Sequence, residues 1–155
     1  MKLIPFYLLV SFFLFACGNN TKTKKLTTNE VKQNVEKILN TELPNSSKNI
    51  EFARFRAFTA IYYMKFDIYE IELKILLLSS EVLPDSIKKR DDKFPIKDST
   101  VEWWKLQELK NPMWNEKHGK KTDEIHWSTY VAIGELEANY RRVYISYIEE
   151  KMNKK

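Results

Sequence analysis

Residues 49–83 read NIEFARFRAFTAIYYMKFDIYEIELKILLLSSEVL, and the reading of this stretch decides the fold. On a helix, Phe55, Tyr62, Tyr69, Leu76 and Leu83 fall in one row at every seventh residue. Neighbouring rows hold Phe52, Phe66 and Leu73, then Ile61, Ile68, Ile75 and Val82, then Met64, Ile71 and Leu78. Apolar residues so arranged cover most of the circumference, as for a helix packed on more than one side. Glu70 and Lys74 add a favourable i,i+4 pair. The competing signal is local: Tyr69 to Ile75 (YEIELKI) alternates at period two, as a half-buried strand does. No Gly, Pro or turn cluster divides Asn49 from Pro84. The stretch therefore predicts one long helix, about 45 Å over some thirty residues.

The flanks agree with that reading. Glycine is scarce, with only Gly18, Gly119 and Gly134, whereas a sheet of this size ordinarily draws on glycine for its tight turns. Thr27-x-x-Glu30 has the pattern of a capping box. Val31, Val35, Ile38, Leu39 and Leu43 continue it as one apolar helix face, ended by Pro44. Beyond Pro84 the chain is charged and irregular to residue 99, with Phe94-Pro95-Ile96 as an apolar plug. Ser99-x-x-Glu102 predicts a second cap and a short helix through Val101, Trp104, Leu106 and Leu109, closed by Asn111-Pro112. Met113 to Thr122 reads as a loop. Thr122-Asp123-Glu124 reads as the cap of a final helix, with acids at its positive end. Tyr130, Ile133, Leu136, Tyr140, Val143, Tyr147 and Ile148 would line its buried face. The expected fold class is all-α: a small bundle of two long and two shorter helices over residues 28–155.

The N-terminus carries a different signal. Lys2 is a short basic region, Leu3 to Phe15 is apolar apart from Pro5 and Ser11, and Leu14-Phe15-Ala16-Cys17 closes it around the only cysteine. The apolar run falls short of the ~20 residues of a membrane-spanning helix and has the layout of a secretory signal. Leu14, Ala16 and Cys17 resemble the lipobox of bacterial lipoproteins. The resemblance implies cleavage of residues 1–16, a diacylglyceryl group on Cys17, a further acyl chain such as palmitate, and attachment to the cell envelope. Gly18 in place of Asp after the cysteine leans the expectation towards the outer membrane, with the domain in the periplasm or at the cell surface. Residues 17–27 would form the lipidated cysteine and a polar tether of at most ~35 Å.

Composition narrows the chemistry. The net charge is +5 and the basic residues are interspersed with 21 acids, so no concentrated basic face points to nucleic acid. With Cys17 acylated, no thiol remains for a disulfide, metal or nucleophile. His118 and His126 lie eight residues apart, without the i,i+4 spacing of a helical zinc site. Gly119-Lys120-Lys121-Thr122 lacks the upstream glycine of a phosphate loop, Trp114 standing there. No catalytic residue, metal or cofactor is expected. Trp103, Trp104, Trp114 and Trp127 are the unusual feature, since tryptophan concentrates in interface hot spots and ligand pockets. The expectation is a membrane-anchored, non-enzymatic module that contacts an envelope protein through these residues. The alternative is a small-ligand binder with a Trp-rich pocket.

Overall fold

The stretch 49–83 divides where its sequence shows no break. A computed structural model describes residues 26–56, 59–89, 94–96, 101–137 and 139–152. In it, β1 (Lys48–Arg56) and β2 (Ala60–Tyr69) pair antiparallel, and α2 (Glu70–Ser79) follows directly. Before them comes α1 (Thr28–Leu39), and after them β3 (Lys110–Thr122), β4 (Ile125–Glu137) and β5 (Tyr140–Lys151). The five strands form one antiparallel sheet in the order β1-β2-β5-β4-β3. The all-α bundle is thus overturned: the domain is a sheet with two helices. Both local readings invert over most of 49–83, for the segment that alternates like a strand opens α2, while the residues read as the first two-thirds of the helix lie in β1 and β2.

Burial on both faces of the sheet explains the inversion. Met64, Phe66 and Ile68 of β2 point to the helix-bearing face, against Leu39, Leu73, Leu76 and Leu83. Tyr63 and Asp67 point to the opposite face and are also buried. A strand covered on both sides shows no polar alternation and reads as a continuous apolar run. The second face is covered by residues 94–96 and 101–109, whose Trp104 packs with Tyr63, Trp114, Ala132 and Tyr144. The short helix expected there is corrected to irregular chain with one 3-10 turn, Leu106–Glu108.

Asparagine supplies the backbone reversals that glycine scarcity seemed to deny. Asn40, Asn49, Asn111 and Asn139 all have positive φ, and no described glycine does. Asparagine tolerates the left-handed region because its short polar side chain bonds locally. Asn40 ends α1, Asn49 and Asn111 sit in register shifts of β1 and β3, and Asn139 precedes β5. Gly119 and Gly134 answer a different need. A Cβ on Gly119 would lie 2.3 Å from the Trp127 ring, and one on Gly134 would lie 2.8 Å from Leu109.

The expected loop 113–122 and final helix are likewise corrected, to β3 and the β4–β5 hairpin. Thr122 behaves locally as the cap pattern suggests, its Oγ1 accepting from the Glu124 and Ile125 amides, but it does so in a hairpin turn. The first helix starts as read, for Thr27 Oγ1 accepts from the Glu30 amide at 3.3 Å and Glu30 Oε2 accepts from the Thr27 amide at 2.8 Å, but it ends at Leu39, with left-handed Asn40 as its cap, and not at Pro44, so Leu43 joins the core from beyond the helix. The expected signal sequence, Cys17 and the expected tether up to residue 25 lie outside the described residues. No helix among those described is long and apolar enough to cross a membrane.

Candidate functional site

The four tryptophans divide between the two faces of the sheet. Trp104 and Trp114 are buried on the second face, where Trp104 meets Tyr63 and Tyr144 edge-on at 4.7 and 5.3 Å. Trp103 lies against Trp104 at 6.2 Å and takes the Lys65 ammonium over its ring at 5.6 Å. Burial lowers the pKa of Lys65, against the opposing pull of Glu51. These three fill the gap between the sheet and its covering segment. Trp127 stands on the helix-bearing face, so the four do not line one pocket.

Trp127 belongs instead to an aromatic row running across four strands. It stacks on Tyr147 at 6.1 Å, Tyr147 approaches Tyr62 at 5.8 Å, and Tyr62 approaches Phe52 at 6.3 Å. Sheet register sets this row, because Tyr147 is the cross-strand partner of both Thr129 and Tyr62, and all four rings share one face. Such ring pairs add roughly 0.5–1.5 kcal/mol each beyond their burial.

The Phe52–Tyr62 end of the row floors an open groove of about 950 Å³ between α1 and the sheet. Val31, Asn34, Lys37 and Ile38 of α1 form one wall, and Arg54, Lys121 and Glu149 stand around the floor. The groove also reaches the outer edge of β1 through Ala53 and Phe55. Arg54 carries its guanidinium over the Tyr62 ring at 5.4 Å. Glu149 is satisfied twice, by Lys121 Nζ at 2.9 Å and by the Tyr147 hydroxyl at 3.2 Å. Burial raises the pKa of Tyr147, with the Glu149 charge adding to it, so the hydroxyl stays protonated and donates. The result is an aromatic floor beside two cations, Lys37 and Arg54, that have no ion-pair partner among the described residues.

Two other clusters complete the inventory. On the second face, His118 Nδ1 lies 2.8 Å from Ser128 Oγ and His118 Nε2 lies 3.7 Å from Glu116. This row sits on open strand surface, with the His118 side chain 55% exposed, and His126 is displaced from it opposite Lys120. Among the described residues no group of three His, Cys, Asp or Glu side chains is arranged to hold a metal. Nearer the other end of the strands, Asp67 is fully buried and accepts two bonds from Arg142, at 2.8 and 3.0 Å, and one from Asn49 at 2.8 Å. That network is structural and fixes β1, β2 and β5 together.

Sequence reading singled out Trp127 of the aromatic row but missed Phe52, Tyr62, Lys37 and Arg54 as a site. Their convergence depends on strand register, and a helical reading of 49–83 scatters them. Comparison of the chain with protein families, with curated proteins and with solved structures returns no match.

Proposed function

We propose that the protein is a lipid-anchored binding domain of the bacterial envelope, held by Cys17 and leaning to the outer membrane. Its groove between α1 and the sheet takes a small amphipathic ligand with an anionic group. The observation that carries this reading is the pairing of an aromatic floor, Phe52 and Tyr62, with the charges of Lys37 and Arg54, which have no ion-pair partner among the described residues. A volume of about 950 Å³ suits a drug-sized molecule, since ligand pockets run roughly 300–1,000 Å³. The apolar part of the ligand would lie on the rings and its carboxylate or phosphate would face the two cations. This moves the ligand-binding expectation from the Trp-rich segment to the opposite face of the sheet.

The test uses 1-anilinonaphthalene-8-sulfonate, an aromatic anion, as a fluorescent probe. Arg54→Glu and Lys37→Glu change exposed side chains and leave the fold intact. Each is expected to weaken probe binding by about tenfold, on the scale of one charge-assisted contact of ~1.4 kcal/mol. Equal binding by the wild type and the double variant removes the groove as the site.

A second reading rests on the edge of the sheet. β1 has no strand partner on its outer side among the described residues, and Phe55 there is 40% exposed. Such an edge can accept an extended segment of an envelope protein as an added strand. Crosslinking from Phe55 in intact envelopes distinguishes it, a protein adduct favouring the edge and its absence favouring the groove.

A further inference from the structure

The second helix is apolar on its outer side as well as its inner one. Leu73, Leu76 and Leu77 face the core, while Ile71, Ile75 and Leu78 are 67%, 60% and 75% exposed. These three, at i, i+4 and i+7, form one ridge along the helix. Glu70, Glu72 and Lys74 flank it, and Leu78 at its end also lines a cavity of about 420 Å³ with Met113 and Ile133, rimmed by Glu70, Asp85 and Arg141. Three aliphatic side chains of this kind present on the order of 200–300 Å² of apolar surface. A stable protein interface buries ~800 Å² on each partner, so the ridge alone is too small for a second copy of the chain. A shallow, one-helix-wide apolar ridge matches in size a seat in the interfacial layer of a bilayer rather than a protein interface.

The route of the chain places that ridge within reach of a bilayer. The end of α1 is tied to the end of α2, with Ser80 Oγ donating to the Leu39 carbonyl at 2.6 Å and Thr41 Oγ1 lying 3.2 Å from Ser79 Oγ. The twelve residues of α1 span about 18 Å. The ten residues from Gly18 to Thr27 extend to at most ~35 Å. The tether is therefore long enough to let α2 lie on the same surface that holds Cys17.

We propose that the α2 ridge is a second membrane contact: Ile71, Ile75 and Leu78 seat in the interfacial layer of the bilayer that carries the Cys17 lipid. This rests on the lipoprotein reading above and adds an orientation to it. With α2 down, the β3–β4 hairpin is the control position, since Asp123 at its turn is exposed and belongs to a separate element.

The experiment uses the lipidated full chain reconstituted in vesicles of phosphatidylethanolamine and phosphatidylglycerol. Acylation consumes the Cys17 thiol, so Ile75→Cys or Asp123→Cys supplies the single site for an environment-sensitive dye. Lipids with a nitroxide near the headgroup are expected to quench the dye at 75 and not at 123. Adding Ile71→Glu and Leu78→Glu is expected to abolish that quenching while the protein stays on the vesicles. Intact mass separates the failures. Lipid present on Cys17 with no quenching at 75 overturns the ridge contact alone. Lipid absent from Cys17 overturns the anchor and the ridge contact together. A crosslink between two chains through Cys at 75 assigns the ridge to self-association and also overturns the proposal.

Discussion

Replacing Gly119 with alanine tests the Trp127 end of the aromatic row with a single methyl group. Gly119 and Trp127 are direct cross-strand partners, and the new Cβ would lie 2.3 Å from Cζ2 and 2.6 Å from Cε2 of the indole. No pair of carbons tolerates that separation, so the ring must swing off the strand and off Tyr147, on which it now stacks at 28°. Losing the stack costs about 0.5–1.5 kcal/mol, and returning part of the ring to water costs about 1 kcal/mol more. Alanine offsets roughly 0.5–1 kcal/mol of this, because glycine in a strand interior gives up more chain entropy on folding. The net is a loss of about 1–1.5 kcal/mol. At a urea slope of ~2 kcal/mol/M the midpoint falls by about 0.5–0.7 M. In a Trp127→Val background the obstacle is gone, and the same Gly119→Ala change should raise the midpoint by about 0.3 M. Urea titrations followed by far-UV circular dichroism give all four corners of the cycle. The expected coupling is about 2 kcal/mol. A coupling near zero, with Gly119→Ala having the same effect in both backgrounds, would falsify the placement of Trp127 over Gly119 and with it the aromatic row.

Three further outcomes are expected. Asp67→Ala strips Arg142 and Asn49 of their shared buried acceptor and should cost about 3 kcal/mol, read as a drop in Tm of roughly 10 °C; a drop of under 2 °C, within the scatter of ordinary surface changes, contradicts the network. Burial raises the pKa of Tyr63, Tyr144 and Tyr147, and hydrogen bonding to Tyr69 raises Tyr140 from 10.0 to about 12. The folded state then keeps protons that the unfolded state releases, so this stabilisation is complete below pH 10 and is lost as pH rises through about 12. Lys65, lowered by burial, acts in the opposite sense as a single group, so urea midpoints should still fall across that window, and a flat profile refutes the reasoning. Thr27→Ala removes the capping box of α1 and should cost about 1 kcal/mol, weakening the anionic probe as well because Val31 and Asn34 of the groove wall lie in the first turns; unchanged probe affinity separates α1 from the site.

What could be read without coordinates was local, and what could not was register. The capping box at Thr27 is complete within four residues, so it was visible in the chain. The turn at Thr122 was half visible, because a hydroxyl accepting the amides two and three residues on serves a helix cap and a hairpin equally. The reversal from Arg56 to Ala60 was hidden because it uses no Gly, Pro or Asn. Strand β2 was hidden because cover on both faces erased its alternation. The sequence YEIELKI misled in the other direction, since the exposed Ile71 and Ile75 beside the buried Leu73 mimic a period of two. The candidate groove joins residues from positions 31 to 149, and no spacing in the chain announces that meeting.

The order of strands in the sheet has a consequence for folding. β5, the last strand in chain order, is the one that lies between β2 and β4. Until it arrives, the β1–β2 hairpin and the β3–β4 hairpin share no ladder, and β2 and β4 each leave one edge unpaired. A chain that emerges N-terminus first therefore stands as two separate, unfinished halves, and only the final dozen residues of the sheet, Tyr140–Lys151, close them into one. A nonsense mutation between the end of β4 at Glu137 and the start of β5 at Tyr140 would leave not a smaller domain but two hairpins with no ladder between them, ready targets for proteolysis.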